Sequence, residues 1–257
     1  MSPTLDQLIG WARHTGSILR SGLGSDFAVH HKGEIDLVTE MDHRSEEYLI
    51  GQVRACFPEH AIVSEEAGSL AGSRDHCWYI DPLDGTMNYA HGVPIFCVSI
   101  AYAEAGQLRL GVVYDPMQDE CFSAERGRGA WLNDEPIHVG RQANLDQAFL
   151  VTGFPYDVRQ TEFNNIALFG RMMLISQSVR RLGSAALDLG YIAAGRFDGY
   201  WEIRLKPWDL AAGALIVEEA GGVVSAFNGS PDYLQPPYGI VVSNPQLHPI
   251  LVQQLNA

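Results

Sequence analysis

No C-x-x-C pair occurs in the chain, and its four cysteines (Cys56, Cys77, Cys97 and Cys121) are scattered over 257 residues. A disulfide framework is not expected at that density; reduced thiols in a cytoplasmic protein are. No H-x-x-x-H pair occurs among the nine histidines, and the adjacent pair His30–His31 cannot chelate as a helical pair would. A zinc site is therefore not predicted. There is no run of 18 apolar residues, so no spanning helix is expected, and Met1-Ser-Pro-Thr4 lacks the basic and apolar regions of a signal peptide. Basic residues are few: 17 Lys and Arg stand against 31 Asp and Glu, a formal charge of −14. A protein that grips nucleic acid through its phosphates needs the opposite balance, so neither nucleic acid nor a membrane is expected as partner. The acidic excess suits solubility, and it also suits a site that collects divalent cations.

What the chain does hold is core material. Hydrophobic residues make up 46% and charged residues 19%, which excludes intrinsic disorder. Thr4 to Gln7 reads as a capping box, with Leu5, Leu8, Ile9, Ala12 and Leu19 as the helical stripe behind it. A second helix is predicted from near Asp42 to Cys56, stopped by Pro58. Short apolar runs follow at Ala61–Ser64 and Trp78–Asp81. Residues 95–103, 108–114 and 120–124 then read as an antiparallel meander with turns at Ala105-Gly106 and Asp115-Pro116. The polar stretch Gly140–Asp146 is the expected boundary between a half at 1–140 and a half at 141–257. Beyond it strands and helices alternate. Strands are predicted at 148–152, 179–182 and 199–202, with short ones near Val223 and Ile240. Helices are predicted from about Glu162, at 184–194, at 207–220 and from Pro245. Periodicity thus predicts an α+β half joined to an α/β half.

The chemically informative residues are acidic and sit where short apolar runs stop. Ser64-Glu65-Glu66 ends one run, Asp81-Pro-Leu-Asp84-Gly-Thr86 ends the next, and Lys206-Pro-Trp-Asp209 opens a helix. A carboxylate just past a strand faces the crevice where ligands of layered α/β proteins bind. With Pro82 between them, Asp81 and Asp84 are expected on a turned rather than extended backbone, aimed at one point. Such hard oxygen donors select Mg²⁺, Mn²⁺ or Ca²⁺. Taken singly, each group has an ordinary structural use: Asx turns for Asp81 and Asp84, a solvated strand end for Glu65-Glu66, helix caps for Thr39, Asp42 and Asp209. Their joint occurrence in this order shifts the balance.

Four blocks, Asp36–Asp42 (D-L-V-T-E-M-D), Ser64–Glu66, Asp81–Tyr89 (D-P-L-D-G-T-M-N-Y) and Trp208–Gly213 (W-D-L-A-A-G), resemble the signatures of the inositol monophosphatase family over nearly the whole chain. Arg181–Asp188 (R-L-G-S-A-A-L-D) and Gly153–Tyr156 (G-F-P-Y) resemble the bacterial inositol-1-monophosphatase branch of these lithium-sensitive, Mg²⁺-dependent sugar phosphatases. The resemblance implies a layered αβαβα fold with the site between the two halves. It implies Glu65, Asp81 and the Leu83 carbonyl as ligands of a first metal, and Asp81, Asp84 and Asp209 as ligands of a second. A weaker third ion would sit near Glu65. Thr86 and Asp42, with Glu65, would orient the attacking water, and Thr39 would support that loop. Lys32 would lie on a segment that closes over the metals. Asp84, Gly85, Thr86, Gly183, Ser184, Ala185 and Glu202 would meet the substrate. The departures, Ser64 where some relatives have Gly, Met87 for Thr and Tyr89 for Phe, remove no ligand. A homodimer is implied as well.

Charge arithmetic agrees with a metal-assisted reaction. Glu65, Asp81, Asp84 and Asp209 carry four negative charges, and a phosphate monoester adds about 1.5 to 2 more near neutral pH. Two or three Mg²⁺, with Mn²⁺ as substitute, would offset them. No Cys-x5-Arg motif is present, so direct attack of water is expected rather than a covalent intermediate. The expected activity is hydrolysis of myo-inositol 1-phosphate and related polyol phosphates. Fructose-1,6-bisphosphatase or dual-specificity sugar phosphatase activity is the alternative, and a non-catalytic regulatory scaffold is a further one.

Overall fold

The computed structural model describes residues 2–24, 29–31 and 37–257, with the backbone alone at 29–31. Lys32 and Asp36 lie outside the described residues. Helix α1 (Leu5–Gly22) is followed by a two-stranded antiparallel ribbon, β1 (Val29–His31) and β2 (Leu37–Thr39), and by α2 (Glu40–Cys56). Both helices begin on capping boxes: the predicted one at Thr4, and one at Thr39 that starts α2 at Glu40, slightly ahead of the expected start near Asp42. Thr4 accepts from the Gln7 N–H, and Thr39 closes a box with Asp42.

An eight-stranded sheet comprises β3 (His60–Ser64), β4 (Gly68–Leu70), β5 (Ser73–Asp84), β6 (Cys97–Glu104), β7 (Gln107–Asp115), β8 (Glu120–Glu125), β9 (Gly129–Leu132) and β10 (Glu135–Pro136). A short helix, α3 (Thr86–Ala90), interrupts the run between β5 and β6. The spatial order is β10-β9-β8-β7-β6-β5-β3-β4, antiparallel throughout except for the parallel pair β3–β5. The predicted meander is its centre.

A five-stranded sheet follows. It is built from β11 (Phe149–Thr152), β12 (Ser178–Arg180), β13 (Gly199–Glu202), β14 (Val223–Ala226) and β15 (Ile240–Ser243), in the order β12-β11-β13-β15-β14. Only β12-β11-β13 run parallel; β15 is antiparallel to both its neighbours, so this sheet is mixed. Helices α4 (Ile166–Ile175), α5 (Ala185–Ala193), α6 (Pro207–Glu219) and α7 (His248–Leu255) complete the chain.

Alternation along the strands stacks these elements into five layers. Ile100, Val112 and Cys121 point into a core shared with Leu8, Leu19, Met41 and Leu49 of α1 and α2. Their neighbours Ala101, Val113 and Phe122 point the other way, into a core shared with α5, α6 and Val151, Tyr200 and Val242 of the second sheet. Leu150, Trp201 and Val241 turn to the outer face of that sheet, against Met172 of α4 and Leu251 and Leu255 of α7. The period of two is what lets one strand serve two cores. Helix α6 lies between the sheets and is buried continuously from Leu210 to Val217, as a helix without a wet face must be. It approaches so closely that a Cβ on Gly111 of β7 would come within 2.9 Å of the Ala212 carbonyl.

Two helix starts differ from expectation. Helix α4 begins at Ile166 rather than near Glu162, because Asn165 takes a positive φ of 71° and is held by the sheet. Its Nδ2 donates to Thr152 Oγ1 and the Gly153 carbonyl, and its Oδ1 accepts from Trp201 Nε1. Helix α7 begins at His248 rather than Pro245, since Asn244 Oδ1 accepts the Gln246 and Leu247 N–H groups in a turn of its own.

Candidate active site

A cavity of about 490 Å³ opens between the ends of β3 and β5, α3, and the starts of α5 and α6. Glu65, Asp81, Leu83, Asp84, Gly85, Thr86, Gly183, Ser184, Ala185, Glu202 and Asp209 all line it. The cavity thus gathers every described site residue predicted from sequence except Asp42 and its partner Thr39, which are fully buried behind Thr86.

Strand β5 carries the central pair, and it does so by a route other than the expected turn. The strand stays extended to Asp84, but its register slips: Asp81 faces Ser99 of β6 and Asp84 faces Cys97, so that between them two residues, Pro82 and Leu83, oppose one, Val98. Residues three apart in a regular strand point to opposite faces; one extra residue brings them to the same side. Pro82, which has no N–H to give a ladder, falls within this bulge. Gly85 follows with φ 97°, and a Cβ there would meet the Ile95 carbonyl at 2.9 Å, so the step from strand to α3 needs glycine.

The three aspartates of the candidate ligand set are anchored by backbone or hydroxyl donors. Asp81 Oδ1 accepts from the Leu83 N–H at 3.0 Å. Asp84 Oδ2 accepts from Ser184 Oγ and the Ala186 N–H, both at 2.7 Å, at the first turn of α5. Asp209 Oδ2 accepts from the Lys206 N–H at 2.7 Å, the expected helix-cap contact. Glu65 follows β3 in a turn held from below by Glu46 of α2. Glu46 Oε1 accepts from Ser64 Oγ at 2.5 Å and from the Glu66 and Ala67 N–H groups at 3.0 Å each. Glu46 carries no sequence signal beyond its place on α2, and only the packed structure gives it this work.

Thr86 and Asp42 form the predicted pair. Asp42 Oδ2 accepts from the Thr39 N–H (2.8 Å) and Oγ1 (2.6 Å), and its Oδ1 faces Thr86 Oγ1 at 3.1 Å. Thr86 Oγ1 is also 3.1 Å from the Leu83 carbonyl. The one hydroxyl proton is thereby committed to an acceptor behind it, which leaves the oxygen lone pairs for a donor in the cavity.

Burial, and then the charges of Glu65, Asp84 and Asp209, push the Asp81 carboxyl well above the ordinary carboxylate range. Burial followed by Asp84 and Glu65 does the same to Asp209. Asp84 is raised by burial against the opposing pull of its Ser184 and Ala186 hydrogen bonds. Glu202, which accepts from Tyr200 Oη at 2.6 Å, is pushed up to about 7 by burial. Among the described residues no three carboxylate, imidazole or thiol side chains already close on one ion-sized point. The donor set still has the chemistry of a hard-cation site: its acidic groups offer oxygen only, and their mutual repulsion is relieved by positive charge.

Around the rim stand side chains that motif reading assigned no settled role. Arg181 lies over the Phe154 ring at 5.5 Å, and Arg204 pairs with Asp157 at 2.6 Å. Asn88 Nδ2 donates to the Ile95 and Leu182 carbonyls, tying α3 to the second half of the chain. Asp188, about one helical turn beyond Ala185, also lines the cavity.

Five alternating layers with a carboxylate-lined cavity between the sheets define a class of layered α+β proteins with an acidic site. The chain belongs to the inositol monophosphatase family, whose model matches residues 1–257. It is 43% identical over 250 residues to the Nus factor SuhB of Escherichia coli, covering 96% of this chain and 93% of that one. It is 47% identical over 232 residues to the inositol-1-monophosphatase of a Synechocystis species, covering 89% and 80% of the two chains. Among solved structures, the inositol monophosphatase of Anabaena superposes with a TM-score of 0.89 at 41% identity, covering 98% and 94%. No helix among the described residues is long and apolar enough to cross a membrane.

Proposed function

We propose that this chain is a Mg²⁺-dependent phosphomonoesterase that hydrolyses myo-inositol 1-phosphate and related polyol phosphates. The observation that carries the reading is the convergence of Glu65, Asp81, Asp84 and Asp209 with the Thr86–Asp42 pair on one cavity. A wall containing Gly183, Ser184, Ala185 and Glu202 leaves room there for a ring. Glu65, Asp81, the Leu83 carbonyl, Asp84 and Asp209 would hold two to three Mg²⁺ ions, with Mn²⁺ as a substitute. Bound there, such cations supply polarisation of the phosphoryl oxygens, acidification of a water and charge compensation at the leaving alkoxide.

The chain's own groups do the orienting. Thr86 Oγ1, its proton directed to Asp42 or Leu83, accepts a hydrogen bond from the attacking water, and Glu65 fixes that water's second contact. Attack in line forms the new P–O bond as the bond to the polyol oxygen breaks; of the water's two protons one stays with the phosphate formed and the other passes to the polyol oxygen, which leaves as the alcohol. Asp42 acts through Thr86 and is a positioning residue. Gly183, Ser184, Ala185 and Glu202 hold the ring so that the phosphate meets the acidic wall.

Relatives named Nus factor favour a second reading, a regulatory protein of the same fold. All four carboxylates of the candidate site are present here, which supports the enzyme. We assign the outer face of α4 to a homodimer contact. Ile166, Met173 and the 86%-exposed Leu174 are apolar and open on it, and Phe163, three residues before its start, is exposed too. Four unpaired cysteines support a cytoplasmic location.

Phosphate release from inositol 1-phosphate and fructose 1,6-bisphosphate, measured side by side with Mg²⁺, tests the substrate. A kcat/KM at least tenfold higher for the inositol ester supports the proposal. Comparable values make the protein a broad sugar phosphatase, and no release from either favours the regulatory reading.

A further inference from the structure

Asp188 stands out among the cavity residues because its carboxyl is buried without being satisfied. It sits on α5 three residues, about one helical turn, after Ala185, and both side chains line the cavity. Only 1% of it is exposed, and its Oδ1 has no hydrogen-bond partner among the described residues. The two other carboxyls on this wall are engaged, Asp84 by Ser184 and Ala186, Glu202 by Tyr200. An unpaired buried carboxyl costs stability, and its neighbours along α5 are apolar: Leu187, Leu189 and Ile192 are all buried. Packing alone gives this position no reason to be acidic.

We infer that Asp188 is a specificity-determining residue, which hydrogen-bonds a hydroxyl of the polyol portion of the substrate, directly or through one buried water. The inference rests on the proposed phosphatase reading and deepens it. The charged groups that act most on Asp188 are Glu202 and Asp84, both acidic, so the missing partner is not supplied by a salt bridge within the wall. A hydroxyl both donates and accepts, so it satisfies this carboxyl in either protonation state. The surroundings suit a ring: Gly183, Ala185 and Gly153 are small, and a Cβ on Gly153 would collide with the Glu202 carboxyl, at 2.1 Å from Oε2. The cavity volume lies within the range that holds small ligands. A phosphate ester whose leaving group has no hydroxyls leaves Asp188 unpaired and gains nothing from it.

The test compares wild type with Asp188→Asn and Asp188→Ala on two esters, inositol 1-phosphate and phenyl phosphate, with Mg²⁺. Melting temperatures are recorded with and without free myo-inositol. The ratio of kcat/KM for the inositol ester to that for phenyl phosphate should fall about tenfold or more in Asp188→Ala, and less in Asp188→Asn, whose amide can still bond a hydroxyl. The melting temperature of ligand-free Asp188→Asn should rise, because the orphaned carboxyl is gone, while the upward shift given by myo-inositol should disappear in Asp188→Ala. An unchanged ratio in Asp188→Ala, or loss of melting temperature with the myo-inositol shift retained, would make Asp188 a packing residue and overturn the inference. Should wild type release no phosphate from either ester, the phosphatase reading fails on its own. The myo-inositol shift then decides Asp188 alone.

Discussion

Asp84 and Ser184, a hundred residues apart in sequence, meet at 2.7 Å across the cavity, where the Ser184 hydroxyl donates to the Asp84 carboxylate. The contact ties the end of β5 to the start of α5, for which Ser184 is also the N-cap. One hydroxyl therefore fixes a carboxylate assigned to cation binding and a helix assigned to ring recognition. Ser184→Ala should cost about 1 kcal/mol of stability through the lost cap. It should also raise the Mg²⁺ concentration needed for half-maximal activity. Melting curves and a Mg²⁺ titration of phosphate release check both; a changed melting temperature with an unchanged Mg²⁺ requirement would limit Ser184 to capping.

Thr86 is assigned to orient the water, and its oxygen rather than its methyl group does so. Thr86→Ala should lower kcat on the order of a hundredfold or more with little change in KM. Thr86→Ser should keep most of the activity. Asp42→Asn should lie between them, since an amide at 3.1 Å from Thr86 Oγ1 can turn its NH₂ toward the hydroxyl and redirect its proton. A parallel rise in KM for all three variants would instead indicate a substrate contact.

Glu46 reaches no ligand yet satisfies three donors beneath Glu65. Glu46→Ala leaves Ser64 Oγ and two N–H groups without their acceptor and should destabilise the protein by about 3 kcal/mol. Chemical denaturation measures this. The mutant should also bind Mg²⁺ more weakly, because the turn that presents Glu65 loses its support.

The pH dependence of stability follows from the raised carboxyls. Asp81, Asp209 and Asp188 are all pushed up in the folded chain, so between the unfolded and folded values the native state holds more protons than the unfolded one. Their contribution is full below the unfolded carboxyl range of about 4 and is lost as pH rises through the folded values. With cations chelated, the melting temperature should therefore decline with rising pH across the acidic to neutral range. Added Mg²⁺ should remove most of that decline by charge compensation at Asp81 and Asp209. A pH profile identical with and without Mg²⁺ would contradict the assignment of these groups as cation ligands.

The division into an α+β half and an α/β half is legible in the sequence because strand patterning and helix-capping residues are local signals, whereas the five-layer stacking was readable only through the resemblance. Thr4 and Thr39 start helices where their side chains say they should. The gathering of Glu65, Asp84, Asp209 and Ser184 was readable only through the resemblance, since each taken singly has an ordinary structural use. What local reading missed depends on partners far away in the chain. The bulge that aligns Asp81 with Asp84 exists only in the pairing with β6. Asn165 breaks the expected helix because Thr152, Gly153 and Trp201 claim its side chain. The antiparallel insertion of β15 into an otherwise alternating half follows from which sheet edge the returning chain meets, and residue periodicity does not encode that.

Phosphate release from inositol 1-phosphate, measured across a Mg²⁺ titration in wild type and Asp81→Asn, bears most directly on the account. Release that requires Mg²⁺, saturates with it and falls at least a hundredfold in Asp81→Asn is the predicted result. Release that persists in chelator, or that Asp81→Asn leaves intact, would contradict the assignment of the acidic cavity as a cation-dependent phosphatase site.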